Sequence, residues 1–274
     1  MAEKVKTPEE MVEEELNKDM AKAIARRKKE INRKKAEIKK LEKEIEKIKS
    51  GELVPDGEDD LSSDLSPKRN PRVAFLLDES GSMSSCKAET IEGFNEYIKK
   101  LRNSGNGIRM TFTKFDSSKV NTLFKDKSIG DVPLLNDDSY QPGAMTPLLD
   151  AIGRTIDAMK KFKDVLFIIQ TDGFENASKE YTRDSIKKKI KEFTDKNGWE
   201  FVYLGADQDA FLSGKDYGLS RGQTFSYMSM DTSDVFGSGA ACYTSDWAAG
   251  KTIGVTFSSH MKSTMDKVKK KKGK

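Results

Sequence analysis

Three stretches of the chain are apolar almost without a break and end on an acid: VAFLLD (73–78), VLFIIQTD (165–172) and WEFVYLGAD (199–207). A strand with one wet face alternates apolar and polar residues. Short unbroken runs such as these predict strands covered on both faces, as in a parallel sheet. Between the runs, helical patterning predicts helices over 87–103, 147–162 and 182–197. IRMTFTKFD (108–116) and KVNTLFK (119–125), parted by two serines, predict a hairpin toward the sheet edge. This alternation predicts an α/β fold, a doubly wound and mostly parallel sheet with helices on both faces, Rossmann-like in layout. Ligands of such sheets bind beyond the carboxyl ends of the strands. Asp78, Asp172 and Asp207 would all emerge on that edge, although one acid at a strand end, taken alone, reads as a solvated loop residue.

Ahead of this domain, residues 1–50 read as one long helix. Thr7, Pro8 and Glu10 have the form of a capping box with proline at the first helical position, and Gly51 is a natural stop. Ile24, Ile31, Ile38 and Ile45 recur every seven residues, with Met20, Leu41 and Ile48 at the complementary heptad positions. Arg27 and Lys34 interrupt that narrow seam, so a self-pairing coiled coil and a docking helix for another protein both remain open. Residues 51–71 mix Pro, Gly, Ser and Asp without period and predict an acidic linker. The expected layout is therefore a helical arm over 1–50, a linker over 51–71, the α/β domain over 72–262 and a basic tail over 263–274.

Composition refines this picture in two respects. Charged residues make up 34% of the 274, above the roughly 25% of ordinary domains, so part of the chain must be strongly solvated. The net charge of +4 is spread in blocks, basic over 22–49, acidic over 52–64 and basic again in KVKKKKGK at the end. Such blocks suit solvated segments, and less directly a nucleic-acid or acidic partner. The first residues lack the apolar core of a secretory signal and no run of about 18 apolar residues occurs, so a soluble protein kept inside the cell, with no membrane contact, is expected. Cys86 and Cys242 lack the spacing of a disulfide framework or zinc site and read as incidental thiols.

The candidate chemistry lies in D-x-S-x-S at 78–82. A tight loop with Gly81 can turn Asp78, Ser80 and Ser82 toward one point. A carboxylate and two hydroxyls are hard oxygen donors, which favour Mg²⁺, Mn²⁺ or Ca²⁺ over zinc or copper. Further oxygens are on offer from Thr146 in GAMTPLLDAI (143–152) and Asp172 in QTDGFENAS (170–178). DESGSM (78–83), TPLLDAI (146–152) and IIQTDG (168–173) together resemble, in chain order, the three loops of the metal-ion-dependent adhesion site of von Willebrand factor type A domains. The resemblance extends over about 72–262, is strong in these loops and weak after Tyr203, and its DxSGSM form is nearer to intracellular bacterial and phage-encoded members.

What the resemblance implies is specific. Asp78, Ser80 and Ser82 match the first loop of the family, Thr146 the second and Asp172 the third. Ser80 and Ser82 would ligate the ion directly, Thr146 and Asp172 directly or through water, and a Glu or Asp of a partner protein would complete the coordination. The expected protein is a non-enzymatic, metal-dependent adhesion or assembly module, cytoplasmic or incorporated into a phage particle. Asp207 is a candidate supporting residue, Glu79 a solvated one, and Glu175 and Asn176 candidates for the rim. Phe174 would either contact a partner or pack over a helix. Two alternatives stand beside this reading. A Mg²⁺-dependent phosphoryl-transfer enzyme would use Asp78, but Ser80 stands where a second acid would be wanted. A nucleic-acid role would rest on the basic helix and tail, which lack interleaved aromatics. His260, the only histidine, lies far along the chain from the acidic loops, and no H-E-x-x-H or phosphate-binding glycine string occurs.

Overall fold

The computed structural model describes residues 70–252 and 254–272. Six strands form one sheet: β1 (Arg72–Asp78), β2 (Arg109–Phe115), β3 (Val120–Ser128), β4 (Val165–Thr171), β5 (Glu200–Ala206) and β6 (Thr224–Tyr227), in the spatial order β3-β2-β1-β4-β5-β6. All neighbours pair parallel except β3, which returns antiparallel along β2 at the edge. The helices are α1 (Lys87–Asn103), α2 (Leu148–Met159), α3 (Arg183–Asn197), α4 (Ala210–Asp216), α5 (Ala241–Ala248) and α6 (Phe257–Lys272). The fold is thus the expected doubly wound, mostly parallel sheet with helices on both faces.

The unbroken apolar runs have a direct cause. In β1, Val73, Phe75 and Leu77 enter one core, whereas Ala74 and Leu76 enter the other on the opposite face. β4 divides the same way, with Leu166 and Ile168 on the first face and Val165, Phe167 and Ile169 on the second. The first face is covered by α1 through Phe94, Tyr97 and Ile98, and by α5 and α6 through Tyr243, Trp247, Met261 and Met265. The second is covered by α2 through Ile152 and Ile156, and by α3 through Ile186 and Ile190. Thr182 and Ser185 form the capping box that starts α3, and Gly198, at φ 68°, ends it.

The winding positions the site. β1 and β4 are neighbours, yet the helix following β1 packs on one face and the helix following β4 on the other. The loops leaving their carboxyl ends therefore part and open a crevice between Asp78 and Asp172, the place where open α/β sheets hold ligands.

Two regions differ from expectation or fall outside it. Helix α6 continues to Lys272 through most of the segment read as a basic tail over 263–274. Met261 and Met265, one turn apart on its apolar side, are buried in the first core, so lysines cover only its outer side. The arm over 1–50 and all but the last two residues of the 51–71 linker lie outside the described residues. Among the described residues no helix is long and apolar enough to cross a membrane.

Candidate metal centre

β1 delivers Asp78 to the crevice, and the chain then turns through extended Ser80 into a 3₁₀ turn, Gly81–Cys86. Asp78 Oδ1 closes that turn by accepting the Ser80 backbone N–H at 2.7 Å. Ser80 Oγ lies 3.3 Å from Ser82 Oγ, and Ser82 Oγ donates to Asp172 Oδ1 at 2.7 Å, so the first and third loops already touch. The second loop is joined to the first by two backbone bonds, Gly81 N–H to the Ala144 carbonyl at 3.0 Å and Gly143 N–H to the Glu79 carbonyl at 2.9 Å. Thr146 is fixed by Asn176, whose Oδ1 accepts the Thr146 N–H at 2.8 Å and whose own N–H donates to the Thr146 carbonyl at 3.1 Å.

Gly173 shows how closely these groups converge. A Cβ placed there would sit 3.1 Å from Thr146 Oγ1 and 3.6 Å from Ser82 Oγ. The absent side chain leaves a small space bordered by hydroxyls from two loops and by the third loop's own backbone. The structure therefore brings Asp78, Ser80, Ser82, Thr146 and Asp172 together at the carboxyl edge of the sheet. Asp78, Ser80 and Thr146 form a buried floor, Asp172 is half-buried and Ser82 is exposed at the lip.

The electrostatics suit a cation. Asp78 is wholly buried, and burial pushes its carboxyl up from 3.8 to about 6, against the opposing effect of hydrogen bonds from Thr171 and Ser80. Burial also raises Asp172, with repulsion from Asp207 adding and the Ser82 hydroxyl opposing. Among the described residues neither carboxylate is ion-paired. A buried and a half-buried carboxylate without a basic partner, ringed by three hydroxyls, fit a hard divalent ion in both charge and donor type.

The neighbouring residues hold the site in shape, and several do so in ways the chain alone did not disclose. Thr171, one residue before Asp172, donates to Asp78 Oδ2 at 2.5 Å and accepts the Gly173 N–H at 3.0 Å, linking β1 to the third loop. Tyr140, fully buried, donates to the Asp78 carbonyl at 2.7 Å. Glu79, expected to be solvated, is instead buried in an ion pair with Lys114 Nζ at 2.5 Å, and its Oε1 also accepts the Gln141 N–H at 2.8 Å. Strand β2 supplies that lysine across the sheet, which no local reading of DESGSM can anticipate. Glu175, expected at the rim, accepts from Leu149 N–H at 2.9 Å and Ser178 N–H at 2.7 Å and so ties the third loop to the start of α2. Asn176 clamps Thr146, as described above. Asp207 Oδ1 accepts the Ser229 N–H at 2.9 Å; its place is in the adjoining loop, from which it acts on Asp172 by charge.

Phe174 points outward at 69% exposure, which decides between the two roles expected for it in favour of the surface. It borders a groove of about 200 Å³ shared with Arg183, Leu212 and Tyr217. Five of the eight large apolar side chains exposed among the described residues (Met145, Phe174, Leu212, Met228 and Met230) lie on segments at this same edge.

No family model matches the chain, and no curated protein matches it. Solved structures do match. Proximal thread matrix protein 1 from the mussel byssus is 15% identical over 65% of this chain and 46% of its own, with a TM-score of 0.47. A von Willebrand factor type A protein from Catenulispora acidiphila is 13% identical over 66% of this chain and 43% of its own, with a TM-score of 0.45. The pilus adhesin SpaC from Lactobacillus rhamnosus GG, in an open conformation, is 15% identical over 69% of this chain and 31% of its own, with a TM-score of 0.46. The chain spans less than half the length of each of these three.

Proposed function

We propose that the chain is a metal-dependent protein-binding module of the von Willebrand factor type A kind, in which Asp78, Ser80, Ser82, Thr146 and Asp172 hold Mg²⁺, or Mn²⁺ or Ca²⁺, and a partner's Glu or Asp docks on it. The observation that carries this reading is the convergence of five oxygen-bearing side chains from three loops, two of them carboxylates, one buried and one half-buried, that no lysine or arginine among the described residues neutralises. When bound, the divalent ion supplies positive charge and a coordination position open to an outside carboxylate. The residues of the chain do the rest. Thr171 and the Ser80 amide orient Asp78, Asn176 holds Thr146, and the Glu79–Lys114 pair keeps the second loop against β2.

The apolar side chains around the crevice support a protein ligand over a small one, since a partner reaching the ion would cover Met145, Phe174 and Leu212 as it docked. The five site residues include no histidine, lysine or cysteine, which favours binding over hydrolysis. In this reading the heptad segment over 1–50 serves for self-association or docking, and the place of work is a phage particle or its assembly in the cytoplasm. Capture from host lysate tests the function. Partner should be retained with Mg²⁺, lost in EDTA and restored by Mg²⁺ for the natural chain, and lost in both conditions for Ser80→Ala. Capture that survives EDTA and Ser80→Ala would overturn it.

A further inference from the structure

Away from the sheet edge, the last two helices bring together three side chains of a different chemistry. Cys242 and Asp246 lie one turn apart on α5 and so share a face, and His260 on α6 faces them across the helix contact. His260 Nε2 lies 3.0 Å from Asp246 Oδ2 and Cys242 Sγ lies 3.9 Å from the same oxygen. One ligand atom from each of the three falls within 4.8 Å of the others. The Tyr243 ring, edge-on to His260 at 5.2 Å, fixes the plane of the imidazole. His260 Nδ1 is buried without a hydrogen-bond partner, so no other group holds the ring from its far side. A cavity of about 500 Å³, bordered by Cys242, Asp246, Ser245, Thr264 and Lys267, opens beside the cluster.

We propose that Cys242, Asp246 and His260 form a second metal site, of zinc type, which clamps α6 onto α5 and leaves one coordination position facing the cavity. The donor set sets it apart from the sheet-edge site. A thiolate, an imidazole and a carboxylate are the ligands of zinc and its neighbours, and Mg²⁺ disfavours the sulfur. The spacing fits as well. Tetrahedral zinc with ordinary bond lengths holds such donors about 3.3–3.6 Å apart, so the observed separations need only small side-chain rotations to close. The site was hidden in the sequence because its ligands come from two helices and its single cysteine and single histidine match no zinc spacing. The consequence is mechanical. α6 carries Met261 and Met265 into the core beside α5, and an ion at its first turn would hold that packing in place.

Cobalt titration of the full chain tests this, since Co²⁺ takes zinc sites and reports a thiolate ligand by a near-ultraviolet charge-transfer band. One equivalent of Co²⁺ should raise the band in the natural protein and in Asp78→Asn, and Zn²⁺ should bleach it. Asp246→Asn and His260→Gln should each weaken binding by more than about tenfold, the effect of an outer-shell change at its mildest. Absence of the band in the natural protein would overturn the proposal. So would a band unaffected by both Asp246→Asn and His260→Gln, which would mark a lone surface thiol. Hydrogen exchange of the natural chain gives a reading that does not depend on any variant folding. Zn²⁺ should slow exchange across 257–272 by about tenfold or more, and unchanged exchange would refute the clamp.

Discussion

Asp78→Asn separates the two halves of the electrostatic argument, because it should stabilise the metal-free domain while abolishing its response to metal. Asp78 is wholly buried, and its carboxyl is raised from 3.8 to about 6. A raised carboxyl favours the protonated fold, so its contribution to stability is complete below pH 3.8 and is lost as pH climbs through about 6. At pH 8 the ionised, buried group leaves the fold weaker by roughly 3 kcal/mol than a neutral group of the same shape would. Asparagine is such a group. Its Oδ1 can still accept the Ser80 N–H, and its Nδ2 can donate to Thr171 Oγ1, whose hydroxyl then turns to the Gly173 carbonyl 3.2 Å away. In EDTA at pH 8 the variant should therefore exceed the natural protein by up to roughly 3 kcal/mol, or ~6–12 °C in Tm for a domain of this size. At pH 4 the advantage should vanish, because Asp78 is then protonated. Mg²⁺ should close most of that gap at pH 8, raising the natural protein by about 2.7 kcal/mol at a hundred times its Kd, and reverse the order at a thousand times, where the gain is about 4.1 kcal/mol, while leaving the variant unmoved. Thermal and urea unfolding in EDTA and in Mg²⁺ measure all of this. An Asp78→Asn protein less stable than the natural one in EDTA at pH 8, or equally responsive to Mg²⁺, would refute the reasoning.

Further outcomes follow from the same geometry. Lys114→Met should cost about 3–5 kcal/mol, because it leaves Glu79 buried and unpaired, and adding Glu79→Gln should recover most of that in urea unfolding. Gly173→Ala should push on Thr146 Oγ1, 3.1 Å from the new methyl, and weaken Mg²⁺ binding at least about tenfold with little loss of stability; unchanged affinity in a calorimetric titration would contradict the placement of Thr146. Phe174→Ala should change stability by less than about 0.5 kcal/mol, since the ring is 69% exposed, yet weaken partner capture while metal affinity stays the same.

The readable parts of this chain were those whose cause is local. β1 and β4 show as apolar runs because each is buried on both faces, and α1 spans 87–103 as its patterning predicts. Asp78, Ser80, Ser82 and Asp172 were visible because hydroxyls and acids at the ends of buried strands carry their chemistry on the surface of the sequence, and Thr146 because it stands just ahead of a helix. Groups that reach the site from elsewhere left no such sign. Tyr140 comes from a long loop, Lys114 crosses from β2, and Thr171 reads as an ordinary strand residue until its hydroxyl is seen on Asp78. The region after Tyr203 was obscure for another reason. β6 has only four residues and pairs with β5 alone. The π-helical turn Val235–Ala240 that leads into α5 holds glycines where helix propensity disfavours them. Gly237 is there for close approach to α1, because a Cβ on it would meet Glu96 Cβ at 2.8 Å, and Gly93 of α1 is equally tight against Ser233.

The most direct test of the account is anomalous diffraction from crystals of this protein grown with Mn²⁺. A single strong manganese peak should appear beside Ser80 Oγ, Ser82 Oγ and Thr146 Oγ1, with Asp78 and Asp172 turned toward it. The same five side chains ordered as described, with no peak among them at saturating Mn²⁺, would contradict it.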